Sequence, residues 1–390
     1  MAALPTRTDV LIVGAGPTGL ALASTLATAE VPFVAVDQVD EGANYSRAVG
    51  TLPRTLQMLD QLQVAERLAK TGNQAQRIRA FSGDRDRTIA TLHVDRLATP
   101  YPFAVVMPQH HTEEALLGRL RELGGRVHRP WRLTALTQDE DGVTATLQGS
   151  DGERHTLWAR YAVGADGARS AVRRYAGVAF PGETFRQSFL LADLLLSDGP
   201  PPDEIHLFFS RHGAVIMGRM PSGLHRVCIS VDQVPEQPLS PQLAQELLRL
   251  RAPESHRIRV REVVGSSHTK VHHRIAERFR AGRIFLAGDA AHLNSPIVGQ
   301  GMNLGIQDGI TLGNTLVSTL RDGVDTLDDY ERVRRQIAKE AVEFTRRIND
   351  LATAKSPSMG AVRDRVAPLV SSLPPVNRRL IARLARVIDG

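Results

Sequence analysis

The chain has 390 residues, 42% hydrophobic and 5% aromatic, which is enough apolar material for two packed cores and too much chain for one simple layer. No run reaches the roughly 18 to 20 uncharged apolar residues of a membrane-crossing helix, and residues 1–8 lack the apolar stretch of a secretion signal, so a cytoplasmic protein is expected. The formal charge of +6 comes mostly from arginines scattered among acids, with no dense basic block interleaved with aromatics, which argues against a nucleic-acid partner.

The lone cysteine, Cys228, rules out a disulfide framework or a cysteine metal cluster within one chain, and a buried thiol is expected there. Residues 8–13 form a short apolar run that ends in Gly14-x-Gly16-x-x-Gly19. An alanine-rich stretch, residues 20–29, and a second apolar run closing on Asp37 follow. This order reads as strand, tight turn, helix, strand, the start of a doubly wound parallel sheet. Glycines in such a turn let backbone amides approach a pyrophosphate, with Pro17 and Thr18 opening the helix whose positive end favours the charge. Asp37, eighteen residues beyond Gly19, is placed to accept both hydroxyls of a ribose.

Residues 76–99 turn irregular and strand-like, which predicts a first excursion into a second domain. Residues 109–123 carry Leu116, Leu117, Leu120 and Leu123 on one face and read as a helix returning to the first domain. Alternation over residues 132–147, with Asp141 and Gly142 at its turn, predicts a hairpin. Strands are expected over residues 189–196, 205–209, 214–220 and 226–231, as a sheet that covers something. Residues 284–288 resume the buried-strand pattern, and helices are expected over residues 305–320 and 327–350. A break at residues 355–360 and a basic helix over residues 377–388 complete the chain.

Two further motifs specify the nucleotide. Asp166-Gly167 with Arg169 and Ser170, and Gly288-Asp289 with His292, followed by Pro296, Gly299, Gly301, Met302 and Asn303, resemble those of the para-hydroxybenzoate hydroxylase class of flavoprotein monooxygenases. The resemblance runs from Asp9 to about Leu320 and is closest to hydroxylases of polyketides and other aromatic compounds. It implies an α/β fold with a discontinuous Rossmann-like FAD-binding domain (1–75, 100–180 and 274–325), a β-sheet substrate domain (76–99 and 181–273) and a C-terminal helical segment (326–390). From the length of this sequence, the thioredoxin-like domain that many polyketide hydroxylases carry at this end is not expected.

In such proteins the aspartate at position 289 binds a ribityl hydroxyl of FAD, and the 296–303 loop with the helix after it meets the isoalloxazine ring. Asp166 is then expected near the FAD pyrophosphate and a passing nicotinamide nucleotide, Arg47 and Arg54 against phosphate, and Gln109 on the ribityl chain. His292 is expected to support the loop rather than to act as a base. The adjacent pairs His110-His111 and His272-His273 do not point at one metal, so no metal is expected.

The implied reaction uses NAD(P)H as a transient donor and O2, with one oxygen atom passed to a small aromatic or polycyclic substrate through a flavin hydroperoxide. His206, Phe208, Arg211, Met217 and Arg219 are the candidates for the substrate pocket, about half of them expected to point away because alternate strand residues face opposite sides. No histidine or tyrosine pair can be assigned as the base that ionises a phenol. A flavin-dependent reductase or dehydrogenase on the same scaffold, without oxygen transfer, is the alternative. A homodimer is an open possibility.

Overall fold

The computed structural model describes residues 4–40, 50–234 and 237–352. Arg47, and the segments 355–360 and 377–388, lie outside the described residues. The strand Arg7–Val13 pairs in parallel with Phe33–Val36 on one side and with Arg154–Gly164 on the other. Ile284–Leu286 and Val127–His128 extend this parallel core at its two sides. Val10, Leu11 and Ile12 are fully buried, as a strand covered on both faces must be, which is why the run is apolar without alternation. The hairpin Trp131–Gln138 and Val143–Gly149 hangs on the early half of Arg154–Gly164, its turn held by Asp139 Oδ1, which accepts from the amides of Asp141 and Gly142.

Helix Pro17–Thr28 follows the first strand and packs against helix Gln300–Arg321. Their approach is close because Gly305, Gly309 and Gly313 recur every fourth residue on the facing stripe. A Cβ at Gly313 would stand 2.7 Å from Thr25 Cβ, and one at Gly309 would overlap the backbone oxygen of Thr18. Helix Gln109–Glu122 buries Leu116 and Leu120 beside Pro17–Thr28. Helix Leu327–Ala352 closes the assembly, with the Tyr330 hydroxyl donating to Leu286 O at 2.8 Å.

A second eight-stranded sheet runs in the order 292–293, 260–275, 182–196, 225–231, 213–219, 204–210, 77–82 and 87–93. All its pairings are antiparallel except that of Glu204–Ser210 with Arg77–Ser82, so the early strand-like excursion joins this sheet. One face packs under helix Pro241–Arg249, with Phe208, Met217, Val227 and Leu248 in its core. The other face meets residues of the 104–106 strand and the 296–298 turn through Phe189, Leu191, Ile216 and Cys228. A small sheet of Gly50–Thr51, Ala104–Val106 and Asn73–Ala75 lies beside that contact. The sequence reading did not anticipate helices Pro53–Asp60, Ala65–Thr71 and Pro241–Arg249, each only two turns long, nor the sixteen-residue strand Val260–Ile275.

Candidate active site

Four neighbouring parallel strands end in one register row, because Leu286 pairs with Gly164, Gly164 with Val13, and Val13 with Val36. The residues just past that row are Gly288, Ala165 with Asp166, Gly14, and Asp37. Motifs 152 and 274 residues beyond Gly14 (166 − 14 and 288 − 14) are thereby brought to the carboxyl edge of one sheet, where ligands of open α/β sheets bind.

The three glycines of the first turn do different work. Gly14 sits at φ +102, and a Cβ on it would stand 2.7 Å from Asp166 N. A Cβ on Gly19 would overlap Gly14 O. Over Gly16 a Cβ would meet nothing within 4 Å. The first and third glycines thus pack the turn, while the second faces open space at the N-terminus of helix Pro17–Thr28, where a phosphate could lie against backbone amides. Asp37 is locked to this turn, its Oδ2 accepting from Ala15 N at 2.7 Å.

Asp166 Oδ2 accepts from Ala171 N at 2.6 Å and Val172 N at 3.2 Å, capping a short helix. Its Oδ1 is buried with no hydrogen-bond partner among the described residues, and burial pushes its pKa up. An acceptor so placed, beside Gly14, suits a hydroxyl or amide of a bound nucleotide. Arg169 is exposed. Arg173 was missed by sequence reasoning, yet it ties the second motif to the third. Its guanidinium donates to Ala290 O at 2.8 Å and Ala168 O at 2.9 Å and stacks 3.9 Å above Phe180.

The third motif rests on a buried ionic cluster. Asp308, on helix Gln300–Arg321, is fully enclosed. Its Oδ2 accepts from Gly288 N at 3.0 Å and lies 2.7 Å from His292 Nε2, while Oδ1 accepts from Arg334 Nε at 2.6 Å. Burial alone would raise this carboxyl, but Arg334, His292 and the Gly288 amide outweigh it and hold the pKa at about 2. The Gly288-Asp289 turn is therefore fixed from behind, with Gly288 at φ +62 against Thr18. His292 supports the loop in this network.

The next loop is positioned by Asn303, which faces back into the protein. Its Oδ1 accepts from Leu52 N at 2.8 Å, and its amide donates to Gly50 O at 3.0 Å and Gly299 O at 2.8 Å. Gly299 adopts φ +64 at the start of the helix, and a Cβ there would meet nothing within 4 Å. Pro296 opens the 3-10 turn Pro296–Val298, and Gly301 and Met302 lie in the first helical turn. Gln109 is the first residue of its helix, with its amide donating to Glu113 Oε1 at 2.8 Å. Arg54 donates to Gln57 at 2.9 Å, so the structure gives it a partner on its own helix.

The substrate-side candidates need correction. Phe208 and Met217 belong to the core on the outer face of the large sheet, away from the nucleotide edge. His206 shares that face, bonded to Glu204 Oε2 at 2.7 Å and packed on Phe81 and Phe208. Arg211 sits in an exposed turn, its amide donating to Asp84, and Arg219 is exposed at a strand end. The four candidates on strands, His206, Phe208, Met217 and Arg219, share this one face, where about half of the set were expected to point away. The neighbours Ile205, Leu207, Phe209, Ala214 and Ile216 face the first domain, with Phe189, Leu191 and Cys228 beside them. One charged pair joins that face, Asp193 with Arg226, whose Nη2 donates to Asp193 Oδ2 at 2.8 Å.

A dinucleotide edge formed from three separated motifs, roofed by an apolar sheet, defines a flavin enzyme. A family model described as "FAD binding domain" matches residues 7–345, and the chain belongs to that family. It is 36% identical to the rifampicin monooxygenase of Streptomyces venezuelae, over 97% of this chain and 78% of that protein. It is 34% identical to the 12-dehydrotetracycline 5-monooxygenase/anhydrotetracycline 6-monooxygenase of Streptomyces rimosus, over 87% and 69%. The crystal structure of p-nitrophenol 4-monooxygenase from Pseudomonas putida superimposes with a TM-score of 0.86 at 25% identity, covering 98% of this chain and 99% of the other. The chain is an FAD-dependent monooxygenase, and the reductase or dehydrogenase alternative is not favoured. Among the described residues no helix is long and apolar enough to cross a membrane.

Proposed function

We propose that the protein uses NAD(P)H and O2 to add one oxygen atom, by hydroxylation or epoxidation, to an aromatic or polycyclic small molecule. The observation that carries this reading is the apolar wall of Phe189, Leu191, Ile205, Ile216 and Cys228 turned toward the side of the sheet that bears the 296–303 loop. Relatives named for rifampicin, tetracycline and pentachlorophenol support a ring-bearing substrate.

The residues present fit FAD. Gly14, Gly16, Pro17, Thr18 and Gly19 would hold its pyrophosphate, Asp37 the adenosine ribose, and Gln109, Gly288 and Asp289 the ribityl chain, with Asp166 nearby; Arg47, outside the described residues, is proposed as a phosphate partner from the sequence alone. Pro296, Gly299, Gly301, Met302 and Asn303 would border the ring, where amides at a helix start stabilise negative charge. Bound FAD supplies the redox and oxygen-transfer chemistry. The chain's own part is to hold that group rigidly, orient the substrate under the sheet and keep water out, which the apolar wall favours.

We assign 1–75, 100–180 and 274–325 to the FAD-binding domain, 76–99 and 181–273 to the substrate domain, and 326–390 to a C-terminal segment. A transient donor site without its own glycine turn, action in the cytoplasm and a homodimer complete the proposal. The buried free thiol and the use of a nicotinamide donor support the compartment. The test is a screen of phenolic and polycyclic compounds for faster NAD(P)H oxidation by the FAD-loaded protein, with product masses raised by one oxygen. Products without added oxygen in every productive case would reject it.

A further inference from the structure

Four histidines are buried among the described residues, and three of them are bonded through Nε2: His206 to Glu204, His225 to Pro200 O, and His292 to Asp308. The fourth is different. His273 is 6% exposed, and neither ring nitrogen has a partner among the described residues. Leaving a buried polar atom unpaired is costly, so an imidazole kept this way is suited to an external partner.

Its position indicates where that partner would be. Strand alternation puts His273 on the face of Val271, which packs in one cluster with Phe189, Leu191, Cys228 and Ile297. The Phe185 ring crosses it edge-on at 4.7 Å between centroids. One and two residues on, Arg274 and Ile275 pair with Leu293 and His292, just ahead of Pro296. His273 therefore stands where the substrate sheet is joined to the loop assigned to the flavin ring. Its sequence neighbour His272 faces the other way, 3.0 Å from Thr184 Oγ1.

We propose that His273 accepts a hydrogen bond, and then the proton, from a hydroxyl of the bound aromatic substrate, serving as the base the sequence did not reveal. The proposal rests on the aromatic-substrate reading above. In the step the substrate O–H bond breaks and an N–H bond forms on the imidazole, with no change of oxidation state. The resulting phenolate is richer in electron density at the ring carbons that receive oxygen, and the proton returns to the product oxygen on release. The charged groups that act on the ring are Arg346 and Asp350 of the last helix and Glu183 of the paired strand. Burial first and then Arg346 lower its pKa against the two carboxylates, which favours the neutral ring, the form that can accept a proton.

The test uses FAD-loaded protein and p-nitrophenol, a phenol whose colour reports its own ionisation. At a pH where the free compound is mostly protonated, the wild type should bind it as the coloured phenolate. His273→Gln, which keeps a polar side chain but cannot take the proton, should bind it uncoloured. Across the phenol screen the same variant should lower oxygenated product per NAD(P)H about 100-fold. FAD content and melting temperature of His273→Gln and His273→Asn serve as controls for folding, and the wild-type measurement needs no variant. Failure of p-nitrophenol to bind, or equal phenolate fractions and product yields in wild type and variants, overturns the assignment of His273. Failure of the aromatic reading itself looks different: the wild type would hold FAD yet no phenol in the screen would gain oxygen.

Discussion

Asp308 is expected to hold the third motif in shape, and the cost of removing it follows from its surroundings. Asp308→Ala takes away the partner of Arg334, which is 5% exposed, and the acceptor of the Gly288 amide. An orphaned buried charge typically costs about 3 to 5 kcal/mol. A second estimate comes from titration. The folded pKa of about 2 against an ordinary 3.8 makes the ionised carboxylate worth roughly 2 kcal/mol to folding. Because the folded value is depressed, that contribution is complete above pH 3.8 and fades as pH falls toward about 2. Urea unfolding of the FAD-free protein at neutral pH measures the first quantity, and the same titration repeated down the acid range measures the second. The variant should also flatten the acid limb. A double variant, Asp308→Leu with Arg334→Met, should recover at least about 2 kcal/mol, since a buried ion pair can be replaced by apolar packing far more cheaply than broken. A loss below about 1 kcal/mol in the single variant would refute the view that this cluster carries the turn.

Three other substitutions separate packing from binding. Gly16→Val should leave unfolding nearly unchanged, since its Cβ meets no protein atom, while weakening FAD at least about 100-fold by filling the phosphate space, as read from flavin fluorescence. Gly309→Val should cost about 1 to 3 kcal/mol or more in unfolding, because the helix would be driven off the Thr18 backbone. Ile216→Phe should change the substrate range or waste NAD(P)H without oxygenating product. Met217→Leu, one residue away on the other face, should keep kcat/KM and lose less than about 1.5 kcal/mol in unfolding; product analysis and calorimetry read the pair.

Much of the nucleotide edge was legible because the chemistry there is local. The turn shows its need for glycine locally, in the φ of +102 at Gly14 and the approach of Gly19 to Gly14 O, even though Asp166 also presses on Gly14, and an apolar run before it and an alanine-rich helix after it announce a parallel strand and its crossover. The motifs at Asp166 and Gly288 are likewise continuous in sequence, so their order and type could be read directly. What no single stretch contains is the register row Leu286, Gly164, Val13 and Val36 that lines them up. Long-range contacts were equally invisible: Arg173 reaching Ala290, Asn303 reaching Leu52, and Asp308 gripping Gly288, His292 and Arg334 each join groups whose pairing no local stretch of sequence records.

The substrate wall marks the boundary most clearly. Strand 213–219 is apolar on both faces, and strand 204–210 sets Ile205, Leu207 and Phe209 against Glu204, His206, Phe208 and Ser210, which are buried as well, so the pattern does not say which side meets the first domain. Helix Pro241–Arg249 claims the face of Phe208 and Met217, and the first domain claims that of Ile205 and Ile216. Sequence determined that strands lie here and which residues share a side, because the period of two is a property of the backbone. Only tertiary packing decided which side faces the cofactor, because that depends on what each distant element buries against.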